Sequence, residues 1–463
     1  MQLDVDFISK VLGNVHMQNS PFPQESSFSI DTRTIQKGDV FIALQGERVD
    51  GHDFVEEALA KGASGFILST TKKNILLQTF GKQLSEKHLL FVDDTLQALV
   101  GLAKNWRSQF TYPVVAITGS VGKTTTKEMV KNILQASGKD YLVSSGNQNT
   151  LVGVSLNILK MRSHHQYAIF ELGIGKRGAM NELVSLLRPT YAAITKIGHS
   201  HMEGLGDVSS IAYEKRQIFS CFKDSDIGLI NGDQSELSNI AYAHPVIRFG
   251  FKTTNQIQAR KIVISHNTIT FTAKIYNQKY SVVMPGCHEG RVLNALAAIT
   301  IGYILKISND VLIKGVSQPV IVNGRFQVLS HASGSILIND AYNSNPDSAK
   351  ASLLAFHAYD TDKQKIIVFG DMLELGDDTS FWHRQLGRFV AKVKNVSHII
   401  LIGNHVHDIQ KTLPLGVKST LFSSIDEAYE LLKNMLLEKN KVFLFKGSNS
   451  VGISKLVEQL QSL

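Results

Sequence analysis

Val114-Val115-Ala116-Ile117-Thr118-Gly119-Ser120-Val121-Gly122-Lys123-Thr124-Thr125-Thr126 is the stretch on which the reading of this chain turns. Val114–Ile117 is a short β-branched run of the kind that forms a fully buried strand. After Thr126, residues Met129, Val130, Ile133 and Leu134 fall on one helical face, and Gly138 stops that helix. A strand, a glycine loop and a helix in that order are the context a phosphate-binding loop requires, the plainer alternative being a glycine turn with an incidental lysine. Glycines let backbone N–H groups approach phosphate oxygens, and the helix N-terminus adds its dipole. Lys123 can neutralise the outer phosphates of a nucleoside triphosphate, and the Thr124 hydroxyl can ligate Mg2+. The usual spacing G-x-x-x-x-G-K-[ST] would need glycine where Ile117 stands, so the match is to the shorter G-x-x-G-K-T.

Downstream, strand and helix alternate. Tyr167–Phe170, Ala192–Ile194 and Ile227–Ile230 read as strands of a mainly parallel sheet. From about 246 to 284 polar and apolar residues alternate, as in Thr268-Ile269-Thr270-Phe271-Thr272, which predicts antiparallel strands appended to it. Beyond Pro319 the α/β pattern resumes with Ile336–Ile338, Ile366–Phe369, Ile399–Ile402 and Val442–Phe445, then an amphipathic helix near 450–461. A doubly wound, Rossmann-like sheet is expected there. Upstream, residues 1–92 read as a small α/β unit. Its expected strands are Val40–Leu44 and Gly65–Leu68, with a helix over 54–61 ending at Gly62 and exposed turns at 71–74 and 81–83. The expectation is an α/β chain of three domains, 1–92, 93–318 and 319–463. About three domains is also the prior from 463 residues.

Composition narrows the class. With 43% hydrophobic and 19% charged residues the chain can build sizeable cores, which excludes intrinsic disorder. No apolar run approaches the ~18 residues that a membrane-crossing helix needs. Met1–Lys10 lacks the basic start and apolar core of a signal peptide, so a cytoplasmic protein is expected. Two cysteines, Cys221 and Cys287, cannot make a disulfide framework. The net charge of +8 fits anionic nucleotide substrates or dispersed surface lysines. No basic stripe with interleaved aromatics appears, so no nucleic-acid partner is expected.

Other candidates are weaker alone. Glu171 ends its strand, where a Mg2+ ligand beside a phosphate loop belongs. His199 and His201 follow the Ala192–Ile194 strand without further ligands at zinc spacing. Lys215 reads by itself as a surface lysine on a helix after Asp207. Asp340 ends the Ile336–Ile338 strand and suits a ribose hydroxyl or an amine. Asn345 is placed to cap a helix, with Pro346 at its first position.

Together these pieces resemble the Mur ligases, the ATP-dependent amide ligases of peptidoglycan precursor synthesis. The likeness spans the chain in family order. It runs through Asp31-Thr32-Arg33, Gly38–Phe41, Val49–Phe54, the phosphate loop and Gly146-Asn147-Gln148-Asn149-Thr150. It continues with Glu171-Leu172-Gly173, His201–Gly204, Ile211–Lys215, Asn294–Ala298 and Gly324-Arg325-Phe326. In the third region Asp340–Ser348, Phe369–Gly376 and Phe445–Ser448 are similar to the family member that adds D-alanyl-D-alanine to a UDP-N-acetylmuramoyl-tripeptide.

The resemblance implies a reaction through an acyl phosphate, with ATP and two Mg2+ ions. It puts ATP on Gly119, Ser120, Val121, Gly122, Lys123, Thr124, Thr125, Asn294, Arg325 and Asp340. It puts one Mg2+ on Thr124 and Glu171, and the other on His201 and a Lys215 carbamylated by CO2. Lys123, Lys215, His201 and Arg325 become the catalytic set. Asp31, Thr32, Arg33, Asp50, His52, Asn147 and Asn149 would hold the UDP substrate, and Tyr342, Asn343 and Asn345 would face the dipeptide. A monomer is expected. The chain departs from the family pattern at Gly175 and Ala179 and in the six-residue spacing of His288 and Asn294. Asn339 stands for a common aspartate and Asn449 for a common arginine. Folylpolyglutamate synthetase, a related ligase, would not need residues 1–92 as a UDP-binding domain. A phosphate-loop ATPase acting as a switch would leave Lys215 and the third domain without a role.

Overall fold

The computed structural model describes residues 11–12, 16–18, 27–47 and 49–463; the reading of Met1–Lys10 lies outside them. The chain falls into two compact units. One comprises Met1–Val114, Asp140–Leu172 and Asn181–Pro189; the other comprises Val115–Lys139, Gly173–Met180 and Thr190–Leu463. The α/β class expected from the alternating pattern is what the chain adopts.

In the first unit, strands Phe28–Ser29, Val40–Ile42, Gly65–Ser69 and His88–Val92 pair in parallel, and His16–Gln18 joins the last of them antiparallel. Phe41, Phe66, Leu68 and Phe91 from these strands pack with Val55 and Ala58 of helix Val55–Ala60. Of the turns expected at 71–74 and 81–83, the first is met only in part, by Thr71 and Lys72, and the second is helical. A 3-10 turn at Thr70–Lys72 leads into helix Lys73–Leu84. Leu76, Leu77, Phe80 and Leu84 recur at helical spacing and face the core, and that burial outweighs the polar residues and the glycine between them. Strands Tyr141–Val143 and Tyr167–Glu171 also pair in parallel, and Trp106 of helix Thr95–Arg107 donates to the Met161 carbonyl at 3.1 Å.

In the second unit, strand Val114–Thr118 runs parallel to Tyr191–Ile194, then Ile227–Asn231 and Val246–Gly250 follow. Val246–Gly250 is therefore parallel, not antiparallel as expected. Alternation reports a half-covered face but says nothing of strand direction. Ile257–Ser265 starts parallel to it, and Thr268–Ile275 and Gln278–Pro285 then complete an antiparallel meander. Helix Lys123–Ser137 buries Met129, Val130, Ile133 and Leu134 as its pattern requires. Gly138 closes it in the left-handed conformation, φ +66.

The C-terminal sheet has six strands in the order Gln327–Ser330, Ile336–Asn339, Lys441–Lys446, Gln364–Gly370, Val396–Ile402 and Lys418–Phe422. Only the first is antiparallel to its neighbour. Helices Pro346–Ala358 and Thr379–Val390 cover one face, and Ile425–Leu437 and Ile453–Gln461 the other. The carboxyl ends of Ile336–Asn339, Lys441–Lys446 and Gln364–Gly370 lie side by side where the strand order reverses, the place where such sheets bind ligands.

Candidate active site

The phosphate loop is built by two glycines at which any side chain would be strained. Gly119 has φ +149, and a Cβ there would collide with Oγ1 of Thr195; Gly122 has φ +93, and a Cβ there would collide with Oδ1 of Asn294. The loop is tied to the segment after strand Tyr191–Ile194. Thr195 Oγ1 donates to Val121 O (2.7 Å), Ser120 N–H to Lys196 O (2.6 Å) and Ser120 Oγ to Gly198 O (2.9 Å). Lys123 Nζ donates to Gly119 O at 2.8 Å, so the ammonium lies over its own loop. Ser120 to Thr125 are half-buried, and the side chain of Asn294, on helix Glu289–Ile304, lies against Gly122.

Lys215 is not the surface lysine its helix alone suggests. Helix Val208–Arg216, capped by Asp207, leaves it 1% exposed. Burial first, and then the charge of Lys123, hold its ammonium well below the ordinary lysine range, against the pull of Glu214. An amine kept uncharged has the lone pair that a cation lacks. Glu214 is itself buried and accepts the Met180 N–H at 3.1 Å. His201 has φ +57 and sets Nδ1 2.6 Å from Oε2 of Glu374. Nearby, Asp347 accepts from the His199 N–H at 2.8 Å and lies 3.0 Å from its Nδ1 and 3.5 Å from Lys196 Nζ.

At the switch point Asp340 is committed within the protein. Its Oδ1 accepts from Phe326 N–H (2.8 Å) and its Oδ2 from Ser352 Oγ (2.6 Å). Arg325 stacks over the Tyr342 ring, 4.1 Å from its centroid. Asn343 Oδ1 accepts the Ser344 N–H, and Asn345 forms a capping box with Ser348, so its side chain is spent on the helix. Sequence reasoning gives Lys446 no role. Its side chain is 1% exposed, and Nζ donates to Asp340 O (3.0 Å) and Asn343 O (2.6 Å) and lies 3.3 Å from Asp340 Oδ2. The two departures Asn339 and Asn449 line one cavity of about 470 Å3 together with Tyr342 and Gly324. His288 caps helix Glu289–Ile304, and burial and then Lys196 push its imidazole down to about 4.

In the first unit Glu171 is 2% exposed. Its Oε1 accepts from Asn149 Nδ2 at 2.9 Å, while its Oε2 has no hydrogen-bond partner. A buried carboxylate oxygen left open in this way fits a hard cation. Asn149 thus stands with Glu171, and Asn147 is exposed beside it, its carbonyl accepting the Asn149 N–H. Asp31 pairs with Arg33 at 2.6 Å, and Thr32 donates to Glu57 at 2.8 Å. His52 is buried with both ring nitrogens engaged. Nδ1 lies 2.6 Å from Asp50, and Nε2 accepts the Ser69 N–H at 2.9 Å. Burial would raise Asp50, but the His52 bonds and Lys72 outweigh it and bring it to about 2. Among the described residues no group of three or more His, Cys, Asp or Glu could hold a metal ion.

Residues 26–106 match the family model described as Mur ligase family, catalytic domain. Residues 117–302 match the Mur ligase middle domain, and residues 324–449 the Mur ligase, glutamate ligase domain. The chain is 32% identical to the UDP-N-acetylmuramoyl-tripeptide–D-alanyl-D-alanine ligase of Bacillus subtilis, covering 93% of this chain and 92% of that one. It superposes on a crystal structure of MurF from Acinetobacter baumannii with TM-score 0.84 at 28% identity, covering 100% and 99% of the two chains. It superposes on MurF ligase from Thermotoga maritima in complex with ADP with TM-score 0.77 at 25% identity, covering 94% and 97%.

Proposed function

The chain belongs to the Mur ligase family, and on that premise we propose that it joins D-alanyl-D-alanine to a UDP-N-acetylmuramoyl-tripeptide at the expense of ATP. The observation that carries the reading is the likeness over 93% of the chain to a relative named for that reaction. The reaction serves peptidoglycan precursor synthesis. The terminal carboxylate of the tripeptide attacks the γ-phosphorus of ATP, and ADP leaves. The dipeptide amine then attacks the carbonyl carbon of the acyl phosphate, the tetrahedral adduct expels phosphate, and an amide remains.

The physical difficulty is the approach of a carboxylate to a triphosphate, both anionic. Lys123 is the protein's own cation for that encounter, released from Gly119 O onto phosphate, while the loop N–H groups hold the chain of phosphates in line. Asn294 would face the adenine, Asp340 would serve the ribose through the lone pairs left by its bonds to Phe326 and Ser352, and Arg325 would leave the Tyr342 ring to reach phosphate. When bound, Mg2+ supplies charge neutralisation for both the attacking and leaving oxygens. The family likeness assigns one ion to Thr124 and Glu171, and the open Oε2 of Glu171 supports that residue's part in the role. His201 and Lys215 would hold a second, with Lys215 as its carbamate. The buried, charge-depleted amine of Lys215 supports this, because a neutral amine adds through its lone pair to the carbon of CO2, gives up an N–H proton to solvent, and leaves a carbamate anion with two ligand oxygens.

The domain division that goes with these roles is 1–92 for the UDP substrate, 93–318 for ATP and 319–463 for the dipeptide. Asp31, Thr32, Arg33, Asp50, His52, Asn147 and Asn149 serve the UDP substrate, His52 by fixing the loop rather than through a free nitrogen. Tyr342 and Asn343 face the dipeptide, and Asn345 sets the helix that follows them. We read the enzyme as a cytoplasmic monomer; among the described residues no helix is long and apolar enough to cross a membrane. The test is phosphate release with ATP and UDP-N-acetylmuramoyl-tripeptide, with and without D-alanyl-D-alanine, and the mass of the product. Release that needs both substrates, with a product heavier by the dipeptide less water, is the expected result. Release indifferent to the dipeptide would refute the ligase reading.

A further inference from the structure

His201 and Glu374 face each other with two unusual backbones. Both are in the left-handed region, φ +57 and φ +62, and neither is glycine or asparagine. Such conformations are unfavourable for L-residues and persist where the surroundings enforce them, often at functional sites. His201 precedes the short helix Met202–Leu205, whereas Glu374 lies between strand Gln364–Gly370 and helix Thr379–Val390 of the C-terminal sheet. The side chains meet at 2.6 Å, Nδ1 to Oε2, and the Glu203 N–H donates to the Glu374 carbonyl at 3.2 Å.

The loop that carries Glu374 is held on several sides. Met372 N–H donates to His383 Nε2 (3.1 Å) and Leu373 N–H to Ser448 Oγ (2.9 Å). Asp371 accepts from the Asn404 and His405 N–H groups at 2.8 and 2.9 Å. Glu374 is thus presented by a fixed frame, although its side chain is 54% exposed and nothing in the core needs it.

The chemistry of this pair is directional. An ionised carboxylate only accepts hydrogen bonds, so the imidazole donates from Nδ1. In the neutral ring the lone pair is then on Nε2, the form a metal ligand requires, and metal-binding histidines commonly donate their other nitrogen to a carboxylate in this way. We propose that Glu374 is a positioning residue of the metal site: it fixes His201 in the Nδ1–H tautomer and in one ring orientation, so that Nε2 is offered to Mg2+. The proposal rests on the reading of His201 as a metal-side residue. It has a consequence for the reaction order. The carboxylate comes from the dipeptide-binding part of the chain and the histidine from the ATP-binding part, so the metal site is complete only when those parts are docked.

Two measurements test this. The first is the 15N spectrum of selectively labelled histidines in the metal-free protein, with His201 assigned by loss of its signals in His201→Ala. The second is Mn2+ affinity by electron paramagnetic resonance in the presence of a non-hydrolysable ATP analogue. In the wild type His201 should show the Nδ1–H tautomer. Glu374→Ala should convert it to a mixture dominated by Nε2–H and weaken Mn2+ binding about 10–100-fold. His201→Ala should weaken it at least as much, and the double variant no further. If Glu374→Ala is not recovered folded, Glu374→Gln is used, with a smaller loss expected. If Glu374→Ala keeps the wild-type tautomer and Mn2+ affinity while His201→Ala loses affinity, the positioning role is overturned and the ligand role of His201 stands. If His201→Ala binds Mn2+ as the wild type does, the ligand role fails and the proposal falls with it.

Discussion

Lys446→Met removes an ammonium and keeps most of an apolar stem. Lys446 is 1% exposed, and its Nζ serves Asp340 O at 3.0 Å, Asn343 O at 2.6 Å and Asp340 Oδ2 at 3.3 Å. Methionine leaves two carbonyls and one carboxylate oxygen short of a partner. Deleting one side of a buried pair costs about 3–5 kcal/mol, and each stranded acceptor about 1–3 kcal/mol. Two facts favour the low end. Asp340 keeps the Phe326 N–H and the Ser352 hydroxyl, and burial of the Lys446 amine, which holds its pKa below the ordinary range, is relieved.

A loss of about 3 kcal/mol is therefore expected. It should be local, because Val442 to Phe445 stay buried between two helical layers. The assay is amide hydrogen exchange over 340–345, with KM for ATP and for D-alanyl-D-alanine. At 1.4 kcal/mol per tenfold, exchange in that loop should quicken by roughly a hundredfold, and both KM values should rise by about tenfold or more. A folded Lys446→Met enzyme with wild-type exchange at 340–345 and unchanged KM values would refute the reasoning.

Lys123→Ala should lower kcat by about a thousandfold or more without unfolding the protein, as expected when a cation is removed from a transferring phosphoryl group; single-turnover assays and circular dichroism check both halves. Lys215→Ala should lose most activity and be partly restored by a small carboxylic acid, while Lys215→Arg should stay inactive. Full activity of the arginine variant would exclude a carbamate, because guanidinium cannot form one. His288 is held down to about 4 against about 6.5 unfolded, so its neutral form is favoured by the fold. Its contribution to stability is complete above about pH 6.5 and is lost as pH falls towards 4, where the unfolded chain binds the extra proton. Urea midpoints at pH 7.5, 5.5 and 4.5 should fall less steeply in His288→Asn, which keeps a capping side chain.

What is legible from sequence is what is periodic or contiguous. The phosphate loop is one unbroken stretch, its glycines demanded by φ +149 and φ +93, and its helix face repeats at 3.6 residues. The alternation of strands and helices, and Asn345 with Pro346 at a helix start, are likewise local. Residues 71–74 and 81–83 are polar enough to suggest turns, yet a helical apolar stripe runs between them and wins by burial. Val246–Gly250 defies its expected direction because period two carries none.

Tertiary structure alone decides which side chains meet. Lys215 looks like any helix lysine until the fold buries it within reach of Lys123. Asp347 comes to His199 from 148 residues away, and Lys446 reaches Asp340 across 106. Glu374, on a loop after a different sheet, fixes a nitrogen of His201. The physical reason is the same in each case. Secondary structure follows from bonds and faces within a few residues, whereas burial, tautomer and charge balance depend on neighbours that only chain topology supplies.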